Sequence, residues 1–195
     1  MKTSEADILI VPGWSSSGPD HWQTRWEKNL KTARRVEQAD WVKADRSRWV
    51  ARIIEEVAAS VRPVVIVAHS LGVVTVVHAA AKLARLPASP VKGAFLVAPA
   101  DADNGSAWPV TQGETFEGNA EGFTPVPLAP LPFPSVLVAS ANDPYCSLER
   151  ARHFAKAWGS ALIESGNLGH INAASGHGPW PDGLLAFGMF LQRLG

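Results

Sequence analysis

Apolar residues in this chain fall into short unbroken runs and into longer stretches where they recur every three or four positions. Asp7 to Val11 is a run of the first kind, closed by Pro12-Gly13. A run so short and so apolar predicts a strand buried on both faces. Asp20 stands where it can cap a helix over residues 21–30, in which Trp22, Trp26 and Leu30 share one side. Arg35 to Gln38 predicts a short second strand. Residues 46–60 set Trp49, Val50, Ile53, Ile54 and Val57 at helical spacing. Val64 to Ala68 reads as the next strand and Leu71 to Leu83 as the helix after it, with Pro87 just beyond its expected end.

The alternation continues. Gly93 to Ala98 and Ser135 to Ala139 predict strands, residues 147–158 a helix, Ala161 to Glu164 a strand, and residues 182–194 a closing helix. Strands that are apolar throughout and alternate with helices imply an α/β fold. The expected form is a three-layer α/β/α sandwich with a mostly parallel sheet, as one domain over residues 1–195. The stretch 101–134 breaks the rhythm with six prolines and four glycines. A connection of that length is either a surface excursion or a flap at the mouth of a pocket.

Composition narrows the partners. Lys plus Arg equals Asp plus Glu, 18 each in 195 residues. That balance offers no footprint for nucleic acid or an anionic membrane. Val64 to Ala81 is long and apolar enough to suggest a membrane span, but Pro63 precedes it and His69, Ser70 and Gly72 interrupt it. A buried strand followed by a buried helix accounts for the same composition. The first seven residues carry no apolar stretch, so no secretory signal is expected, and one cysteine, Cys146, excludes an internal disulfide. A cytoplasmic location is the default.

The chemistry centres on Ser70. In Val64-Val-Ile-Val-Ala-His-Ser-Leu-Gly72 a strand runs into a serine and straight on into a helix. This is the nucleophile-elbow pattern, with Ala68 where a glycine is usual. A serine on so sharp a turn needs small residues two before and two after it, and Ala68 and Gly72 meet that demand. The structural alternative is that Ser70 only caps the helix. A serine hydroxyl also needs a base, and the base a carboxylate. Both follow later strands in the order expected for such enzymes: Asp143 in Ser140-Ala-Asn-Asp-Pro-Tyr145, then His170 in Gly166-Asn-Leu-Gly-His-Ile-Asn172. Asp101 and Asp103 remain alternatives for the acid, and His177 for the base. His69 is expected to pack or hydrogen-bond locally, His78 to be a satisfied core histidine, and His153 to lie on a helix surface.

An acyl-transfer intermediate needs two donors for its oxyanion. The expected pair is the backbone N–H of Leu71 and that of Trp14, in the loop after the first strand. Trp14 is also a candidate wall of the acyl pocket. No zinc-type histidine motif, cysteine pair or dense acidic cluster is present, and neither is a phosphate loop or dinucleotide fingerprint. No metal or cofactor is therefore expected. Cys146 reads as a packing residue rather than a reactive thiol.

Gly13-Trp14, Ser17, His21-Trp22-Gln23, Trp26-Glu27, Ala68-His-Ser-Leu-Gly72, Val97-Ala-Pro99, Leu131-Pro-Phe-Pro-Ser135, Ser140-Ala-Asn-Asp-Pro-Tyr145 and Gly169-His-Ile-Asn172 occur in order over nearly the whole chain. Together they resemble the small serine hydrolases related to retinoblastoma-binding protein 9. The resemblance implies a minimal α/β-hydrolase fold, with Ser70, Asp143 and His170 in the triad positions. It also implies hydrolysis of a small ester, thioester or activated amide through an acyl-enzyme. A rival reading is a protein-binding module that reuses the fold with little or no turnover. A binding motif of the Leu-x-Cys-x-Glu kind is not present, since Cys146-Ser-Leu-Glu149 does not fit it. A small-molecule acyl substrate is the expected partner, and acyl transfer to an acceptor other than water is the remaining possibility.

Overall fold

The computed structural model describes residues 1–88, 90–110, 113–117 and 119–194. In chain order its elements are β1 (Asp7–Val11), α1 (Trp22–Asn29), β2 (Ala33–Arg35), β3 (Ala44–Asp45), α2 (Arg46–Ala58), β4 (Val64–Ser70) and α3 (Leu71–Leu83). They continue with β5 (Val91–Pro99), β6 (Ala120–Glu121), β7 (Ser135–Ala139), α4 (Leu148–Trp158), β8 (Ala161–Glu164) and α5 (Pro181–Arg193). The main sheet has the order β2-β1-β4-β5-β7-β8, and every neighbouring pair in it is parallel.

Successive strand side chains point to opposite faces, and here each face has its own helical layer. Leu9, Val11, Ile66, Ala68, Leu96 and Leu137 pack with Trp49 and Ile53 of α2, the apolar side of α3, and Phe154 and Trp158 of α4. Ile8, Ile10, Val65, Val67, Phe95 and Val138 pack with Trp22 and Trp26 of α1 and with Phe187, Phe190 and Leu191 of α5. The result is the expected three-layer α/β/α sandwich. No helix among the described residues is long and apolar enough to cross a membrane.

Three local expectations need correction. The second strand is Ala33–Arg35 rather than residues 35–38, in register with Ile8 to Ile10. Its edge position is held by ion pairs from Arg34 to Glu56 and from Arg35 to Glu27, so it lacks the apolar signature of the central strands. The cap of α1 is His21, whose Nδ1 accepts the Gln23 N–H at 3.1 Å. Asp20 lies one residue too early and faces Arg25 at 3.6 Å across an exposed surface. Finally, 101–134 is more than a surface excursion. Phe116, Phe123, Val126 and Phe133 are buried in the core shared with α2, α3 and α4, and β6 pairs in parallel with β3.

The layer under α1 and α5 is an aromatic pile. Trp26 lies between Phe187, with ring centroids 5.3 Å apart, and Trp180 at 6.1 Å, while Phe95 meets Phe187 edge-on at 5.5 Å. Phe95→Ala is expected to cost about 3–5 kcal/mol, because the surrounding rings cannot collapse into the void. Leu185→Ala, at a position 65% exposed on α5, should stay within about 0.5 kcal/mol of wild type. Urea unfolding of the two variants checks the contrast.

Candidate active site

Parallel strands deliver their following loops to one edge of a sheet, the edge formed by their carboxyl ends. Ser70 ends β4, Asp143 follows β7 and His170 follows β8. At that edge His170 Nε2 lies 2.8 Å from Ser70 Oγ, and His170 Nδ1 lies 2.9 Å from both carboxylate oxygens of Asp143. All three side chains are buried. In this arrangement the Nδ1–H donates to Asp143, and Nε2 is left to accept the Ser70 hydroxyl proton.

The alternatives lie elsewhere. Asp101 and Asp103 both bind Arg150, at 3.1 Å and 2.6 Å. His177 Nδ1 contacts Ser175 Oγ, and His78 Nε2 faces the Phe123 carbonyl at 3.0 Å. His153 is exposed on α4. Cys146 is buried, and its thiol is pushed up by burial and by Asp101 and Asp143 nearby. Among the described residues no group of three or more histidine, cysteine or acidic side chains is placed to hold a metal ion.

Ser70 sits at φ 57° and ψ −126°, a backbone state that a non-glycine residue occupies only under constraint. The chain leaving β1 supplies that constraint. A Cβ on Gly72 would lie 2.4 Å from the Val11 carbonyl oxygen, and a Cβ on Gly13 would lie 2.6 Å from Ser70 Cβ and 3.1 Å from Leu71 N. The two glycines thus let the first loop press against the start of α3. Leu71 is the first residue of α3, so its N–H has no intrahelical partner. The Trp14 N–H has no acceptor among the described residues. The Trp14 indole N–H is fixed on the Val42 carbonyl at 2.7 Å.

Several residues, most of them quoted above only as parts of motifs, make supporting contacts that the sequence does not announce. Gln23 is fully buried, and its amide donates to the carbonyls of Val11 and Val67, joining the end of β1 to the middle of β4. Its Oε1 accepts the Ser17 hydroxyl at 2.6 Å. Arg35 grips the same loop through Ser16 Oγ and the Ser17 carbonyl. Asn142 Oδ1 accepts the Gly169 N–H, and Ser140 Oγ accepts the Leu168 N–H, which staples the Asp143 loop to the His170 loop.

His69 packs, as one of its two expected roles has it, against the rings of His21, Trp22 and His170, and its hydrogen bond runs to a distant segment. Its Nε2–H donates to the His170 carbonyl at 2.8 Å, and the Trp22 indole N–H donates to the Ile171 carbonyl at 2.8 Å. Ile171 is a β-branched residue at φ 46°, a conformation that needs such a clamp. The rings of His21, His69 and His170 form a row with centroids 4.9 Å and 4.7 Å apart. Burial, followed by the proximity of His170, Arg35 and His177, lowers His21 from 6.5 to about 3. Burial, with His170 and His21 beside it, also holds His69 well below the usual histidine range.

With this geometry in view, the model of the serine hydrolase family matches residues 8–189. The chain belongs to the serine hydrolase family. It is 32% identical to a YdeN-like hydrolase of Pectobacterium atrosepticum, whose crystal structure superposes with a TM-score of 0.80 over 98% of this chain and 94% of that one. It resembles the ydeN gene product of B. subtilis at 19% identity, TM-score 0.68, over 93% and 98% of the two chains. It also resembles Thermogutta terrifontis esterase 2, in the form phosphoramylated by tabun, at 16% identity and TM-score 0.67, over 100% and 86%. The last two are likenesses of fold. No curated protein matches the chain.

Two stability predictions follow for this serine hydrolase. Trp22→Phe keeps the ring but strands the Ile171 carbonyl, and is expected to cost about 1–3 kcal/mol by urea unfolding. The second concerns pH. Between 6.5 and about 3 the unfolded chain carries a proton on His21 that the folded protein refuses. Stability therefore falls as pH drops through that window, at about 1.4 kcal/mol per pH unit for such a histidine. His21→Asn retains an acceptor for the Gln23 N–H without titrating, so its unfolding free energy should decline less steeply between pH 6.5 and 5. An unchanged slope would count against this assignment.

Proposed function

We propose that this serine hydrolase cleaves a small ester, thioester or activated amide, in an esterase-like reaction through an acyl-enzyme. The observation that carries the reading is the unbroken line of hydrogen bonds from Asp143 through His170 to Ser70. Ser70 Oγ attacks the carbonyl carbon as its proton passes to His170 Nε2. Asp143 orients the imidazole and stabilises the imidazolium that forms. The tetrahedral oxyanion accepts hydrogen bonds from the Trp14 and Leu71 N–H groups. His170 then gives its proton to the departing alcohol, thiol or amine. A water molecule, deprotonated by His170, releases the acyl group and restores Ser70.

The shape of the site supports a small-molecule substrate. Ser70 and His170 line a cavity of about 390 Å³ together with Trp14 and Trp108. Trp108 belongs to 101–134, so that segment covers the site in this reading. The motifs that run from Gly13-Trp14 to Gly169-His-Ile-Asn172 favour the group related to retinoblastoma-binding protein 9 and a minimal α/β-hydrolase domain over residues 1–195. The balanced charge and single cysteine fit a cytoplasmic location.

A fluorophosphonate probe tests the reaction directly. Wild type is expected to be labelled and Ser70→Ala to remain unlabelled with an unchanged melting temperature. Asp143→Asn should lower kcat on a short p-nitrophenyl ester by roughly three to four orders of magnitude. A folded wild type that takes no label and turns over no ester would overturn the reading in favour of a binding module.

A further inference from the structure

Two neighbouring cavities share part of their lining, and Ser70 lies in the first of them. The first, of about 390 Å³, is walled by Trp14, His21, His69, Trp108, Tyr145 and Asn172, with Ser70 at its surface. The second, of about 230 Å³, is lined by Asp101, Asn104, Asp143 and Cys146. Trp108 and Tyr145 are common to both linings. Their rings meet edge to face with centroids 5.6 Å apart, so the pair forms a wall common to both cavities.

The two rings are held differently. Tyr145 lies against the His170 ring, with centroids 4.2 Å apart. Trp108 touches no member of the Asp143, His170 and Ser70 line through a hydrogen bond. Its indole N–H donates to the Asp101 carbonyl at 3.1 Å, and its face packs on Phe116 at 4.1 Å. Phe116 in turn meets Trp14 edge-on at 5.9 Å. Arg150 binds Asp101 and Asp103, which fixes the turn that carries Trp108. The indole is thus a braced wall rather than a loose cover.

The first cavity is also free of fixed charge. Among the described residues its lining contains no lysine, arginine, aspartate or glutamate. Its basic side chains are histidines, and burial keeps His21 and His69 from taking up a proton. A charged substituent placed there would lose hydration and meet no counter-ion, an unfavourable exchange. Aromatic faces favour compact apolar groups instead.

We infer that Trp108 sets the acyl length this enzyme accepts: the substrate is an ester or thioester of a short, uncharged acyl group, and the indole bars a longer chain from the space beyond. The inference rests on the hydrolase reading of Ser70 given above. Removing the indole frees its own volume and opens the common wall toward the second cavity.

The experiment compares p-nitrophenyl acetate, butyrate, hexanoate, octanoate and monosuccinate on wild type, Trp108→Ala and Trp108→Phe, each first titrated with a fluorophosphonate probe. Wild type should favour acetate and butyrate, with kcat/KM at least about tenfold lower on octanoate and on the charged succinate. Trp108→Ala should raise the octanoate-to-butyrate ratio of kcat/KM by about tenfold, and Trp108→Phe by less. If Trp108→Ala fails to fold, Trp108→Phe carries the comparison. A ratio unchanged in a variant that still takes the probe overturns the wall while leaving the hydrolase reading intact. Equal rates of wild type on butyrate and succinate overturn the uncharged class. A folded wild type that takes no probe removes the hydrolase reading, and the inference with it.

Discussion

Ser70 occupies a backbone state that a side chain resists, and the chain leaving β1 must pass within contact distance of that strained turn. The close approach works only because Gly13 and Gly72 offer no Cβ on the facing sides. From that packing follows the direction of the hydroxyl, which meets His170 Nε2 at 2.8 Å. It also brings the β1 loop beside the first N–H of α3. In the proposed reaction, main-chain donors there would need no reorganisation when charge develops beside them. Gln23 reinforces the arrangement from below by bonding the carbonyls of Val11, at the end of β1, and Val67, midway along β4.

The other half of the site depends on the second constraint, the joining of two loops that start from adjacent strands. β7 and β8 are neighbours in the sheet, so Asp143 and His170 begin close together. Ser140 and Asn142 then bind the backbone of the His170 loop, while His69 and Trp22 hold it from the opposite layer. The imidazole is therefore braced from both sides of the sheet. Such bracing matters because a misplacement of about 1 Å in a reacting group can cost two orders of magnitude in rate.

Much of this is legible in the residues themselves. β1, β7 and the helix α3 span the ranges expected from their apolar patterns, because burial leaves a trace in composition; β8 matches its expected range although it is largely exposed at the sheet edge. Ser70, Asp143 and His170 stand in order after strands, which is a local property and can be read locally. β2 is misplaced because an edge strand held by Arg34 and Arg35 leaves no apolar trace. β3 and β6 are unreadable because a pairing of Ala44–Asp45 with Ala120–Glu121 depends on where a distant segment returns. The hydrogen bonds of His69, Trp22 and Asn142 are missed for the same reason: each residue bonds a backbone group far away in sequence, and nothing in its own neighbourhood marks the partner. The cap of α1 fails more narrowly, since aspartate is the commoner cap and the histidine beside it takes the position.

Cys146 illustrates a different kind of consequence. It is buried beside the site, and burial together with two nearby carboxylates disfavours the anion that oxidants and alkylating agents attack. The chain's one sulfhydryl is thereby a poor target for such reagents.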